Sequence, residues 1–148
     1  MVENRDRFDR KEIMMNEQEN VKAVERIYSA FGQGDVPTIL NMLAEDIDWL
    51  FHGPADIPFA GRHIGREQVA QFFATIDETT ENEQFLPEEF IAKDDRVVVL
   101  GHERMRVKSS GRTCETDWVH VFTLRNGKVV KIREYYDTAA IVAAFRGE

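Results

Sequence analysis

A carboxylate beside an imidazole can move a proton, and a guanidinium close to both can hold an oxygen on which negative charge develops. Residues 96–137 carry such groups at alternating positions: His102 and Arg104, then Trp118 and His120, then Glu134 and Tyr136. On adjacent strands, a period of two puts all six side chains on one sheet face. Ionisable groups set among large aromatics have the composition of a pocket wall. Glu134 is the candidate general acid or base. Burial beside an indole would raise its pKa and Arg104 would lower it, so its resting protonation state stays open. Ionised, Glu134 would act as a base, with Arg104 or His120 stabilising the oxyanion. Protonated, it would act as an acid, with His102 or His120 as the partnering base. A purely structural Glu134–Arg104 ion pair fits the pattern equally well. Trp49, Phe59, His102, Trp118 and Tyr136 are the candidate walls for a flat, largely apolar ligand with an oxygen function.

These positions need three antiparallel strands, at residues 96–108, 113–124 and 128–137. The joints are Ser109-Ser110-Gly111 and Arg125-Asn126-Gly127. Asn126-Gly127 suits either a two-residue type I′ turn or a three-residue loop with a bulge. The three-residue form is chosen at both joints, because both place Gly third, where positive φ is needed. That register aligns Val98 with Phe122 and Val130, and Leu100 with His120 and Ile132. It aligns His102 with Trp118 and Glu134, and Arg104 with Thr116 and Tyr136. Glu134 is then the only carboxylate of the three strands on the pocket face, since Glu103, Glu115 and Asp117 fall on the other. The opposite face carries Val97, Val99, Val119 and Val121, an apolar patch expected to join two copies in a homodimer.

The remaining elements must close a pocket over that sheet. Residues 1–15 are dense in charge and read as a flexible tail, with residues 16–148 as the single domain. Asn16 caps a helix whose Val21, Val24, Ile27, Tyr28 and Phe31 share a face. Gly32 and Gly34 stop it, and Asp35 caps a short second helix. Residues 45–51 form a strand with Ile47, Trp49 and Phe51 on one side, followed by a loop to Gly65. A third helix spans residues 66–79, with Val69, Phe72, Phe73 and Ile76 inward. A strand around residues 84–92 contains Pro87, so it belongs at an edge or a bulge. Residues 138–145 form a closing helix. The expected fold is α+β: three N-terminal helices on a strongly curved, mostly antiparallel sheet, enclosing a cone-shaped pocket.

The totals exclude several functions. With 148 residues the chain is one domain. A formal charge of −8 argues against nucleic acid and anionic membrane as partners. Cys114 is the single cysteine, and no Cys or His spacing suggests zinc, so no metal is expected. No apolar run reaches membrane-spanning length and no secretory leader is evident, which points to the cytoplasm.

Four stretches carry a family resemblance. They are Tyr28-Ser29-Ala30-Phe31 with Gly34-Asp35, Leu43-Ala44-Glu45-Asp46, Phe59-Ala60-Gly61-Arg62-His63-Ile64-Gly65-Arg66, and Ile132-Arg133-Glu134-Tyr135-Tyr136-Asp137. From residue 16 to the end the chain resembles the nuclear transport factor 2-like superfamily, and within it the SnoaL-like polyketide cyclases and ketosteroid-isomerase-like proteins. The resemblance implies a cystatin-like cone, a small hydrophobic organic ligand, and commonly a dimer through the outer sheet face. It implies a cofactor-independent isomerase, cyclase or dehydratase, or a non-catalytic binding or assembly domain of the same fold. The epoxide hydrolases of the superfamily carry Arg-x-Asp on the first long strand. Arg104-Met105-Arg106 keeps the Arg and lacks the Asp, while Glu134 stands where their second acid lies.

Overall fold

A computed structural model describes the backbone of residues 2–148 and the side chains of residues 16–148. Helix α1 (Val2–Gly32) begins before Asn16, since no Gly or Pro interrupts the chain ahead of Gly32. The flexible tail expected at residues 1–15 falls on side chains outside the described ones. Val24 and Ile27 are buried, and Tyr28 and Phe31 are half-buried on the same face. Helix α2 (Val36–Asn41) is capped by Asp35, whose carboxylate accepts from the Thr38 amide at 3.2 Å. Helix α3 (Gly65–Thr79) buries Val69, Phe72 and Phe73. Helix α4 (Thr138–Arg146) is capped by Asp137 and ends on the left-handed Gly147.

Six strands complete the fold: β1 (Leu43–Phe51), β2 (Gly61–Ile64), β3 (Thr80–Lys93), β4 (Arg96–Val107), β5 (Thr113–Arg125) and β6 (Lys128–Tyr136). They form one sheet in the order β2-β1-β6-β5-β4-β3. Only β1 and β6 run parallel. β2 occupies part of the stretch expected to be loop, pairing Trp49 with His63. β3 is an edge strand, and its pairing slips between Pro87 and Glu89. Proline lacks the N–H a central strand must donate, so it settles at this edge. The helices cover the concave face, and the core lies between them and the sheet.

Both hairpin registers differ from the expected ones. In β4–β5 the Val107 amide bonds the Arg112 carbonyl at 2.8 Å, closing a loop over Lys108, Ser109, Ser110 and Gly111. That loop is one residue longer than expected, and one residue turns a strand over. Val99 pairs with His120, Gly101 with Trp118 and Glu103 with Thr116. The odd residues of β4 therefore face the core. Val97 and Val99 are fully buried there and cannot serve a dimer patch. In β5–β6, Arg125 pairs with Lys128 across a two-residue turn, with φ of 52° at Asn126 and 77° at Gly127. This is the type I′ alternative. A bulge between Thr123 and Leu124 adds a second one-residue shift, so Glu134 pairs with His120 and Tyr136 with Trp118. Two shifts of one residue leave the β6 side chains from Lys131 to Tyr136 on their expected faces, whereas before the bulge Val129, and not the expected Val130, is buried.

Candidate functional site

Glu134 lies on β6 directly opposite His120 of β5, and both point into the cone. β1 runs alongside β6 and brings Trp49 over the carboxyl. Its indole N–H donates to Glu134 Oε2 at 3.1 Å. Glu134 Oε1 lies 3.3 Å from His120 Nε2. The same nitrogen is 2.9 Å from the Tyr136 hydroxyl, and Nδ1 is 2.8 Å from the hydroxyl of Tyr28 on α1. A neutral imidazole carries one N–H, so one of its nitrogens donates and the other accepts in this chain of groups. Glu134 is 5% exposed and His120 3%.

Burial favours the neutral form of each group. It pushes the Glu134 carboxyl up to about 8, with the negative Glu103 adding to the rise and the Trp49 bond opposing it. It pushes His120 down to about 3. Burial also raises both tyrosines well above their ordinary value. At neutral pH the centre is thus a protonated carboxyl against a neutral imidazole, enclosed by two neutral phenols.

The walls are aromatic. Phe51, Phe59 and Phe72 pack at one side, and Phe31, Phe73 and Phe85 at the other. Phe51 stacks on Tyr136 at 4.8 Å between ring centroids. The cavity is about 60 Å³, room for only a few waters. Phe31, Phe73, Ile76 and Phe85 separate it from a surface depression between the ends of α1 and α3 and the start of β3.

The turned-over β4 corrects the expected site. Arg104 and His102 lie on the outer face. Arg104 reaches Glu83 at 3.4 Å and Glu115 at 3.5 Å, and so cannot meet Glu134. His102 Nδ1 sits 2.9 Å from Asp117, a bond that raises its pKa. In their place Glu103, expected outside, lines the cavity. Burial pushes Glu103 up to about 7, opposed by Tyr136 and by His102. Trp118 is buried behind the site, stacking on His120 at 4.0 Å and 17°. Trp49, Phe59 and Tyr136 line the cavity as expected positions require. Tyr28, expected only on an inward helix face, meets His120 Nδ1 through its hydroxyl. Its spacing to Val24 and Phe31 marked it as inward, but nothing local marked its partner.

A family model of the SnoaL-like domain matches residues 24–132. None of the curated proteins matches the chain. An NTF2-like protein from Burkholderia xenovorans LB400 is 42% identical, with a TM-score of 0.80, over 87% of this chain and 97% of its own. TerC, crystallised with polyporic acid, is 27% identical with a TM-score of 0.77, over 86% and 98%. A candidate polyketide cyclase from Xanthomonas campestris pv. campestris is 24% identical with a TM-score of 0.72, over 88% and 98%, and shares the fold. The cone, its sheet order and the matched residues agree, and the chain belongs to the SnoaL-like, NTF2-like family.

Proposed function

We propose that this protein is a cofactor-independent proton-transfer enzyme, an isomerase, cyclase or dehydratase, acting on a small, largely apolar, oxygenated ligand. The observation that carries the reading is a buried carboxyl, Glu134, held against a neutral imidazole in an aromatic cavity. A carboxyl with a pKa raised to about 8 is matched to proton transfer near neutral pH. Protonated, Glu134 gives its proton to a substrate oxygen or carbon; ionised, it removes one. His120 holds the carboxyl through Nε2, and Tyr28 and Tyr136 orient the ring. The phenols and the indole N–H supply fixed dipoles where charge develops, in a space with room for only a few waters. The likeness to TerC, which was crystallised with polyporic acid, supports an organic ligand here.

Replacing Glu134 by Gln keeps the shape and removes the proton. On the first substrate found to be converted by the unaltered protein, Glu134→Gln should lose about 10²–10⁴-fold in rate, the scale of a general acid–base group. Ligand binding and the fold should persist. Undiminished turnover in that variant would end the reading. The small volume of the cavity favours one second reading, a binding or assembly domain of the same fold, for which no substrate of any class would turn over.

The same proposal includes a homodimer through the outer sheet face. With β4 turned over, the apolar rows there are Val98 opposite Val121 and Leu100 opposite Val119. All four are half-buried in the single chain, and the exposed Tyr135 adjoins Val119.

A further inference from the structure

The acid–base reading above requires that a ligand reach Glu134, and the present inference, which names the shape of that ligand, rests on that reading. The cavity of about 60 Å³ is too small for a single ring, since one benzene occupies a dry cavity of about 150 Å³. Some part of the wall must therefore give way. Among the described residues, the apolar wall is buried everywhere except at Phe31, Ile76 and Phe85, which are half-buried. These three and Phe73 also line the depression beyond, a space of about 740 Å³. The four side chains are the partition between the two spaces. They carry no polar atom, so only packing holds them: Phe31 tilts against Phe85 at 4.9 Å and against Phe73 at 6.1 Å between ring centroids. The polar wall is tied by contacts among Glu134, Trp49, His120, Tyr28 and Tyr136. The backbone behind the partition is also the less restrained. Phe85 lies on the edge strand β3 beside a slip in pairing between Asn82 and Gln84, and Phe31 is one residue from the end of α1.

The depression differs from the cone in its rim. Asp77 of α3 and Asn82 of β3 are exposed there, and no Lys or Arg lines it among the described residues. The Lys108 ammonium is held on the Asp77 carbonyl at 2.7 Å and does not line the depression. A carboxylate beside a carboxamide accepts hydrogen-bond donors and repels anions. We propose that the depression is the outer half of the ligand site and that the ligand is a two-part molecule. Its flat apolar ring passes the partition of Phe31, Phe73, Ile76 and Phe85 to reach Glu134. Its other end, an amide, hydroxyl or amine that donates hydrogen bonds, stays at Asp77 and Asn82. A ligand ending in a carboxylate is disfavoured there.

The test uses the full chain and three probes: benzene, phenylbutyramide and phenylbutyrate. Binding and contacts are read by isotope-filtered NMR on labelled protein. In the expected result the phenyl ring of phenylbutyramide contacts the Trp49 indole while its carboxamide contacts the Asn82 side chain, in one complex. Phenylbutyrate should bind about tenfold more weakly. Asn82→Ala should weaken phenylbutyramide about fivefold, the scale of one hydrogen bond, and leave benzene unchanged. Phenyl contacts confined to the depression would overturn the inference. So would an equal effect of Asn82→Ala on benzene and phenylbutyramide, or no binding of phenylbutyramide at about 10 mM. Turnover is not read here, which keeps the two readings apart. A fully active Glu134→Gln would end the acid–base reading and leave these contacts in place. Missing contacts beside an inactive Glu134→Gln would end this inference alone.

Discussion

Gly101 sets the floor of the site by what it lacks. A Cβ built on it would lie 2.2 Å from Cζ2 of Trp118, the residue paired with it across the strands. The indole therefore lies flat on the backbone of β4, and His120 stacks on the indole in turn. Gly101→Ala must push Trp118 off this seat. Overpacking of this kind costs about 1–3 kcal/mol, and a lowered urea midpoint should report it. Because His120 rides on Trp118, the variant should also disturb the Tyr28 and Tyr136 contacts. A neutral outcome would mean that the indole has another place to go.

Among the elements, helices and turns were legible where a residue type has one physical use. Asp35 and Asp137 cap their helices because a carboxylate at that place meets free amides. Pro87 marked an edge. Registers were harder, since Gly tolerates several loop forms and the choice between them is settled by packing several residues away. For β6 the turn and the bulge offset each other, so Glu134, His120 and Tyr136 were readable as one face. For β4 nothing offset the longer loop. The strand did carry a signal: Val97, Val99, Met105 and Val107 alternate with a set ending in His102, Arg104 and Arg106. Counting polarity over the whole strand would have put Glu103 inside; trusting the Gly position put it outside. The I′ turn itself is testable. Gly127 has φ of 77°, so Gly127→Ala should cost about 1–2 kcal/mol, read as a lower urea midpoint, with the fold unchanged.

For the whole molecule, the buried groups set how stability depends on pH. The folded chain holds protons on Glu134 and Glu103 up to about 8 and 7, whereas the unfolded chain releases them near 4.5. His120 works the other way: unfolded it binds a proton below 6.5, folded only below about 3. Between pH 4.5 and 6.5 the folded state holds two carboxyl protons and the unfolded state one imidazole proton. Above pH 6.5 the imidazole contribution is gone. Stability should thus fall as pH rises through this range, most steeply between about 6.5 and 7 and ending above 8. Urea unfolding at a series of pH values checks this, and Glu134→Gln should flatten the upper part. A midpoint that rises from pH 6.5 to 8 would contradict the burial of these carboxyls. The outer face is tested at the same scale. Val121→Asp should convert a dimer to a 17.1 kDa species in sedimentation at micromolar concentration, with the helical signal intact. A single-chain species in the unaltered protein would remove the dimer.

The loop of residues 108–111 has a consequence for descent. Unlike the β5–β6 turn, it has no bulge between it and the site to absorb a change in length. Loss of one residue there would rotate β4 by half a pleat and bring His102 and Arg104 inward where Gly101, Glu103 and Met105 now stand. Such a deletion exchanges an acidic, neutralisable wall for a basic one without altering any wall residue. In relatives of this chain, the length of that surface loop would then set the charge of the cavity wall, and divergence could proceed through gaps as readily as through substitutions.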